Sequence, residues 1–134
     1  MRVAVDTNVL VRFLVRDDEA QAEMAKAAID AADTIVIPTI VLCELAWVLK
    51  RAVRMAPRDI ADHIGELVRS RNVELDRAAA EAGLQALAKG GDFADGVIRH
   101  EARRQRCDQL LTFDRGFAGL FESADVVLLD ASGS

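Results

Sequence analysis

Arg2-Val3-Ala4-Val5-Asp6-Thr7-Asn8-Val9-Leu10 changes its periodicity halfway along. Residues 2–5 form a short apolar run of the kind found in a strand covered on both faces. From Asn8 to about Val15 the apolar side chains Leu10, Phe13 and Leu14 recur on one side of a helix. A strand that runs into a helix with an acid at the junction is the unit from which the rest of the chain can be read.

Working outward, Asp17 is placed to cap a second helix through about residue 31. Residues 34–37 read as a strand closed by Pro38, and Thr39 as the cap of a helix to about residue 53. Pro57 opens a further helix to about residue 70, ahead of a short strand at 73–75. The alanine-rich segment 77–89 is a helix ended by Gly90-Gly91, and Asp92 starts another that runs to about residue 106. Residues 109–112 form a strand, 114–121 a turn and short helix, and 126–129 a last strand at an edge, with a frayed tail over 131–134. Short β-branched runs alternating with helical patterns define an α/β fold with a largely parallel sheet, and at 134 residues the expectation is one domain, over 1–130.

The composition narrows the class. An apolar fraction of 51% with 29% charged residues is that of a folded globular chain, well away from the disordered corner. Asp6, Asn8 and Arg12 interrupt the first apolar run before it could act as a signal peptide, and Pro38 and Glu44 break the longest one, so neither secretion nor a membrane span is expected and the cytoplasm is the expected location. Cys43 and Cys107 lie in helix-like apolar stretches without metal-ligand spacing, which suggests buried thiols in a reducing compartment. The net charge of −5 argues weakly against indiscriminate nucleic-acid binding.

In open α/β sheets ligands bind beyond the carboxyl ends of the strands, and acids recur there: Asp6 after the first strand, Asp92 and Asp95 at a helix start, Asp114 after the strand with Leu110 and Leu111. Glu44 joins them from the helix after Pro38. Its neighbours three and four residues away are Ile40, Val41, Trp47 and Val48, so it interrupts an apolar stripe, and an ionised group buried there must be protonated, paired or metal-bound. Hard oxygen ligands without histidine or thiolate select Mg²⁺ or Mn²⁺. Each acid also has an ordinary reading: Asp6 as a cap or Asx turn, Asp92 with Asp95 as a capping box, Asp114-Arg115-Gly116 as a turn, Glu44 as the partner of a buried arginine. The joint pattern outweighs its members, because coincidental caps need not share one edge of a sheet.

These residues resemble a PIN domain, and in compact size the VapC toxins of bacterial toxin-antitoxin pairs. The resemblance covers residues 3–129 and rests on Val5-Asp6-Thr7-Asn8-Val9-Leu10, Val41-Leu42-Cys43-Glu44-Leu45, Asp92-Phe93-Ala94-Asp95-Gly96-Val97-Ile98 and Leu111-Thr112-Phe113-Asp114-Arg115-Gly116-Phe117. It implies a three-layer sandwich with a central, mostly parallel sheet of four to five strands flanked by helices. It further implies that Asp6, Glu44, Asp95 and Asp114 hold one or two Mg²⁺ or Mn²⁺ ions, with Asn8 and Thr112 as polar supports and Asp92 alongside. Gly116 stands where many relatives carry another acid, which leaves Asp114 alone in its loop.

The activity implied is endoribonuclease hydrolysis leaving a 3′-hydroxyl and a 5′-phosphate, in a toxin that forms homodimers and is silenced by a VapB-like antitoxin whose helix lies in a groove near the first helices. Phe13, Leu14 and Trp47 are candidates for that groove, although core packing is the more ordinary role of all three. Arg12, Arg99 and Arg115, with Arg16, Lys50, Arg51 and Arg103, are candidate RNA phosphate contacts, although for each a solvated helix face is the more ordinary role; His63 and His100 read as surface residues. Two alternatives stand beside this reading. One is a PIN-like antitoxin-binding or scaffold module without activity. The other is a haloacid-dehalogenase-like phosphatase, which would need an aspartate where Asn8 stands.

Overall fold

The computed structural model describes residues 1–131; the expected frayed tail over 131–134 falls, apart from Ala131, outside the described residues. Strand β1 (Arg2–Ala4) leads through helices α1 (Thr7–Val15) and α2 (Glu19–Ala31) to β2 (Thr34–Val36). Helices α3 (Thr39–Arg51) and α4 (Pro57–Arg69) carry the chain to β3 (Val73–Glu74), and α5 (Arg77–Ala88) and α6 (Phe93–Arg104) to β4 (Leu110–Thr112). A short α7 (Arg115–Leu120) precedes β5 (Val126–Leu128). Helical crossovers between successive strands are what parallel pairing demands, and the fold is α/β with every described pairing parallel.

The starts of the helices follow from local chemistry. Aspartate occupies the N-cap of five: Asp6, Asp18, Asp76, Asp92 and Asp114 precede α1, α2, α5, α6 and α7. A carboxylate there accepts from an otherwise unpaired backbone N–H and meets the positive end of the helix dipole. The cap of α2 is Asp18, one residue beyond the expected Asp17. Thr39 is the first helical residue of α3 and makes no cap bond, since Pro38 occupies the N-cap. Pro57 opens α4, where its missing N–H is harmless.

One expectation is corrected. The five strands do not form one sheet of four to five: β1, β2 and β3 make a three-stranded sheet in that order, with Val3 opposite Ile35 and Ile35 opposite Val73, while β4 and β5 pair separately, Leu111 opposite Val127. The strands are two or three residues long, so each ladder contains few hydrogen bonds, and helix packing rather than strand pairing decides where β4 lies.

Ile35 and Ile37 are buried at the centre, against Leu10 and Val11 of α1, Leu42, Leu45 and Leu49 of α3, Ile60 and Ile64 of α4, and Phe93 of α6. Helices α5 and α6 pack most closely. A Cβ on Gly96 would lie 2.0 Å from the Ala82 carbonyl oxygen, and one on Gly83 2.6 Å from the Phe93 ring, so both positions require glycine. The β4–α7–β5 unit is held to α6 by Arg99, whose guanidinium lies 4.9 Å from the centroid of Phe121 and 3.2 Å from the Asp125 carboxylate.

Two further expectations change at the surface. Cys43 is half-buried but Cys107 is exposed, because α6 ends at Arg104 and the chain turns through a left-handed Arg106 before the cysteine. The stripe around Glu44 is split, with Val41 and Val48 turned toward the core and the rest outward. Ile40 is 66% and Trp47 59% exposed, and Glu44 is exposed between them, while Val41, Leu42, Leu45 and Leu49 form the buried face of α3. The burial penalty that singled out Glu44 therefore does not apply.

Candidate active site

Parallel β1 and β2 end side by side, which puts Asp6 and the start of α3, with Glu44 on its second turn, at the same edge of the sheet. Asp6 is exposed and accepts from the Val9 N–H at 3.3 Å, so one oxygen caps α1 and the other is free to act. Asn8 is exposed on the first turn.

The opening of α6 supplies a second group of acids. Asp92 and Asp95 form a capping box in which the Asp95 carboxylate accepts from the Asp92 N–H at 3.0 Å. The Asp92 carboxylate lies 2.6 Å from Lys50 Nζ of α3. Burial pushes the Asp95 carboxyl above the ordinary carboxylate range; repulsion from Asp92 and Asp114 pushes it the same way, against the hydrogen bond from the Asp92 N–H and the attraction of Lys50. Asp114 is thus electrostatically coupled to Asp95. It caps α7 through the Phe117 N–H at 3.0 Å, while Thr112 Oγ1 accepts from the Asp114 N–H at 3.0 Å and holds the loop.

The structure therefore brings Asp92, Asp95, Asp114 and Lys50 into one electrostatic neighbourhood. Asp6 and Glu44 have no hydrogen bond or ion pair with that group among the described residues. The four candidate acids also do not gather as closely as a single-ion site: the described set whose donor atoms all lie within 4.8 Å is Asp76, His100 and Glu101, at the start of α5 and on α6. His100, read from sequence as a surface residue, belongs to it; nothing in a lone histidine on a polar helix face signals the approach of Asp76 from another helix.

The candidate phosphate contacts are mostly committed already. Arg12 pairs with Asp17 at 2.8 Å, Arg16 with Glu19 and Glu23, Lys50 with Asp92, Arg99 with Asp125, and Arg115 with Asp130 at 3.4 Å. Arg51 and Arg103 have no ion pair among the described residues. Phe13 and Leu14 are half-buried, Leu14 against the core, and the apolar groove near the first helices is lined instead by Asn8, Val9, Arg12, Gln21, Met24, Ala25 and Ala28.

A family profile described as PIN domain matches residues 3–120, spanning all four acids and the elements that carry them. The chain belongs to the PIN domain family. PIN domains are generally nucleases, so the acids at the ends of β1 and β4 and at the starts of α3 and α6 stand in a fold whose members hydrolyse nucleic acid, generally with divalent metal. Comparison with curated proteins gives no match. As a donor set the four acids have the chemistry for such a cation: all are hard carboxylate oxygens, and burial together with Asp92 and Asp114 disfavours the charged form of Asp95, which a cation would favour. No helix among the described residues is long and apolar enough to cross a membrane.

Proposed function

We propose that this PIN domain is an endoribonuclease dependent on Mg²⁺ or Mn²⁺ that serves as the VapC-type toxin of a toxin-antitoxin pair. The observation that carries the reading is the meeting of Asp92, Asp95 and Lys50 at the start of α6, within a chain that matches the PIN domain over residues 3–120. Asp6, Glu44, Asp95 and Asp114 would hold the ions. A bound dication supplies Lewis acidity at phosphorus and a water of lowered pKa.

The chain's own residues position these groups. Asp95 is held by the Asp92 N–H, Asp114 is set by its cap of α7 and by Thr112, and the positive end of α6 faces incoming phosphate. In the reaction the oxygen of water bonds to phosphorus, the bond to the 3′ oxygen breaks, and the proton passes to that oxygen, giving a 3′-hydroxyl and a 5′-phosphate. The groove between α1 and α2, about 340 Å³ and mostly apolar, with Met24 72% exposed, suits an amphipathic antitoxin helix. A homodimer would cover some of the exposed apolar groups, such as Trp47.

The test is cleavage of labelled RNA by purified protein with Mn²⁺ and with excess EDTA. Cleavage is expected with free metal alone, and Asp6→Asn or Asp95→Asn should lower it by about a hundredfold or more while folding is retained. Undiminished activity in both variants would remove the proposal. The spacing of the acids favours a second reading, an antitoxin-binding PIN module without catalysis; that module would bind its partner yet leave RNA intact under every metal condition.

A further inference from the structure

We propose that the cleft between α5 and α6 binds the sugar-phosphate backbone of an RNA strand. The inference deepens the ribonuclease reading and rests on it for the identity of the polymer. The cleft has a volume of about 450 Å³, and its charged lining consists of Lys89, Arg99, Arg103 and Arg104, with His100 beside them and no carboxylate. In a chain of net charge −5 this is a local concentration of cations against the overall balance.

Its cations are differently engaged. Arg99 is anchored by Asp125 and Phe121, and Arg104 Nε lies 3.4 Å from Glu101, while Asp76, which lies with Glu101 beside His100, caps α5 through the Ala79 N–H. Lys89 Nζ donates to the Leu120 carbonyl at 3.3 Å, and neither Lys89 nor Arg103 has an ion pair among the described residues. The guanidinium of Arg103 is exposed, and guanidinium forks match phosphate geometry.

Gly96 lets α6 approach the Ala82 carbonyl closely and so sets how far apart the walls stand. The cleft also adjoins the proposed active site: Gly96 follows Asp95 directly, Arg99 is one turn further on, and Arg103 lies about 12 Å along the helix from Asp95 at 1.5 Å per residue. A strand seated against Arg99 and Arg103 would therefore run toward the Asp95 carboxylate.

The test reads binding, not cleavage. A fluorescently labelled single-stranded RNA of about a dozen nucleotides is titrated with full-length protein in EDTA, over a range of salt. The double variant Lys89→Ala/Arg103→Ala, at two exposed positions, should bind roughly tenfold more weakly, and the slope of log K against log salt should shrink by about 1.4, or 0.7 for each phosphate of a single strand that is no longer neutralised. The control Arg58→Ala/Arg71→Ala removes the same charge elsewhere on the surface and should stay within about twofold of wild type. Equal weakening in both variants, or none in either, overturns the proposal, leaving Arg103 and Arg104 as counter-charges to the carboxyl end of α6. A labelled mononucleotide binding as tightly as the RNA would also overturn it, in favour of a small-anion site. Pocket-dependent binding without Mn²⁺-dependent cleavage would instead sink the ribonuclease reading alone.

Discussion

Lys50 Nζ of α3 lies 2.6 Å from Asp92 Oδ1, next to the carboxylate of Asp95 at the start of α6. Both partners are partly exposed, so solvent screening limits the pair itself to at most about 1 kcal/mol. Its larger consequence is electrostatic, because it is a positive charge that opposes repulsion among Asp92, Asp95 and Asp114. Lys50→Met should lower the melting temperature by no more than roughly 3–5 °C. Its rise in melting temperature on adding Mn²⁺ should exceed that of wild type, since the cation meets a more negative site; an equal rise would show that Lys50 does not act on the acids.

The Asp95 carboxyl titrates above its unfolded value, chiefly through burial, and the linkage has a definite sign. A raised carboxyl favours the folded state when protonated, so its contribution is fully present below the unfolded value near 3.9 and is lost as pH rises through the folded value. Asp95→Asn keeps an oxygen to accept from the Asp92 N–H but removes the charge. Metal-free, the variant should melt higher than wild type at pH 7, with the gap closing toward pH 4. A constant gap across that range would show that the charge is not the cause.

Asp125 carries the opposite sign. Hydrogen bonding from Ser123, and then from Arg99, holds its carboxyl below the ordinary range. Its contribution is present above the unfolded value and is lost as pH falls through the lower, folded one. Asp125→Asn should lower the melting temperature at neutral pH and speed amide exchange in β4 and β5, and the difference in melting temperature should fade in acid. Unchanged exchange at Leu110 would mean that Arg99 does not hold this unit.

Gly96→Ala and Gly83→Ala test the close approach of α5 and α6. Overpacking of this kind costs about 1–3 kcal/mol. Gly96→Ala should be the worse of the two, because its new methyl meets a backbone carbonyl at 2.0 Å, whereas the one on Gly83 meets the Phe93 ring. Urea unfolding gives both values, and neutral substitutions would show that the helices can separate cheaply.

Glu44→Gln separates chemistry from stability. The side chain is exposed, so unfolding free energy should stay within about 0.5 kcal/mol of wild type. Cleavage should nonetheless fall sharply if Glu44 is a ligand. Retained cleavage would take Glu44 out of the site.

Local patterns made most of the elements legible. The switch of period at Asp6, the break at Pro38 and the capping box at Asp92 and Asp95 are encoded within a few residues, and the structure contains each of them. Glu44 shows where such patterns end. Helix α3 is apolar nearly all round, so its sequence does not say which stripe meets the core; packing of Leu42, Leu45 and Leu49 against neighbouring helices does. Nor does any local pattern mark Lys89, His100 and Arg104 as neighbours, since the cleft they line exists only where α5 and α6 meet.

By itself, then, the sequence determined the order of strands and helices, the caps at Asp6 and Asp92, and the family, because caps, turns and periodicity are short-range. The tertiary structure alone decided that β4 pairs with β5 rather than joining the first sheet, that Asp95 is coupled to Asp114 and Lys50, and that four cations line one cleft. Those relations join residues far apart in the chain, and only the packing of helices on one another sets the distances between them.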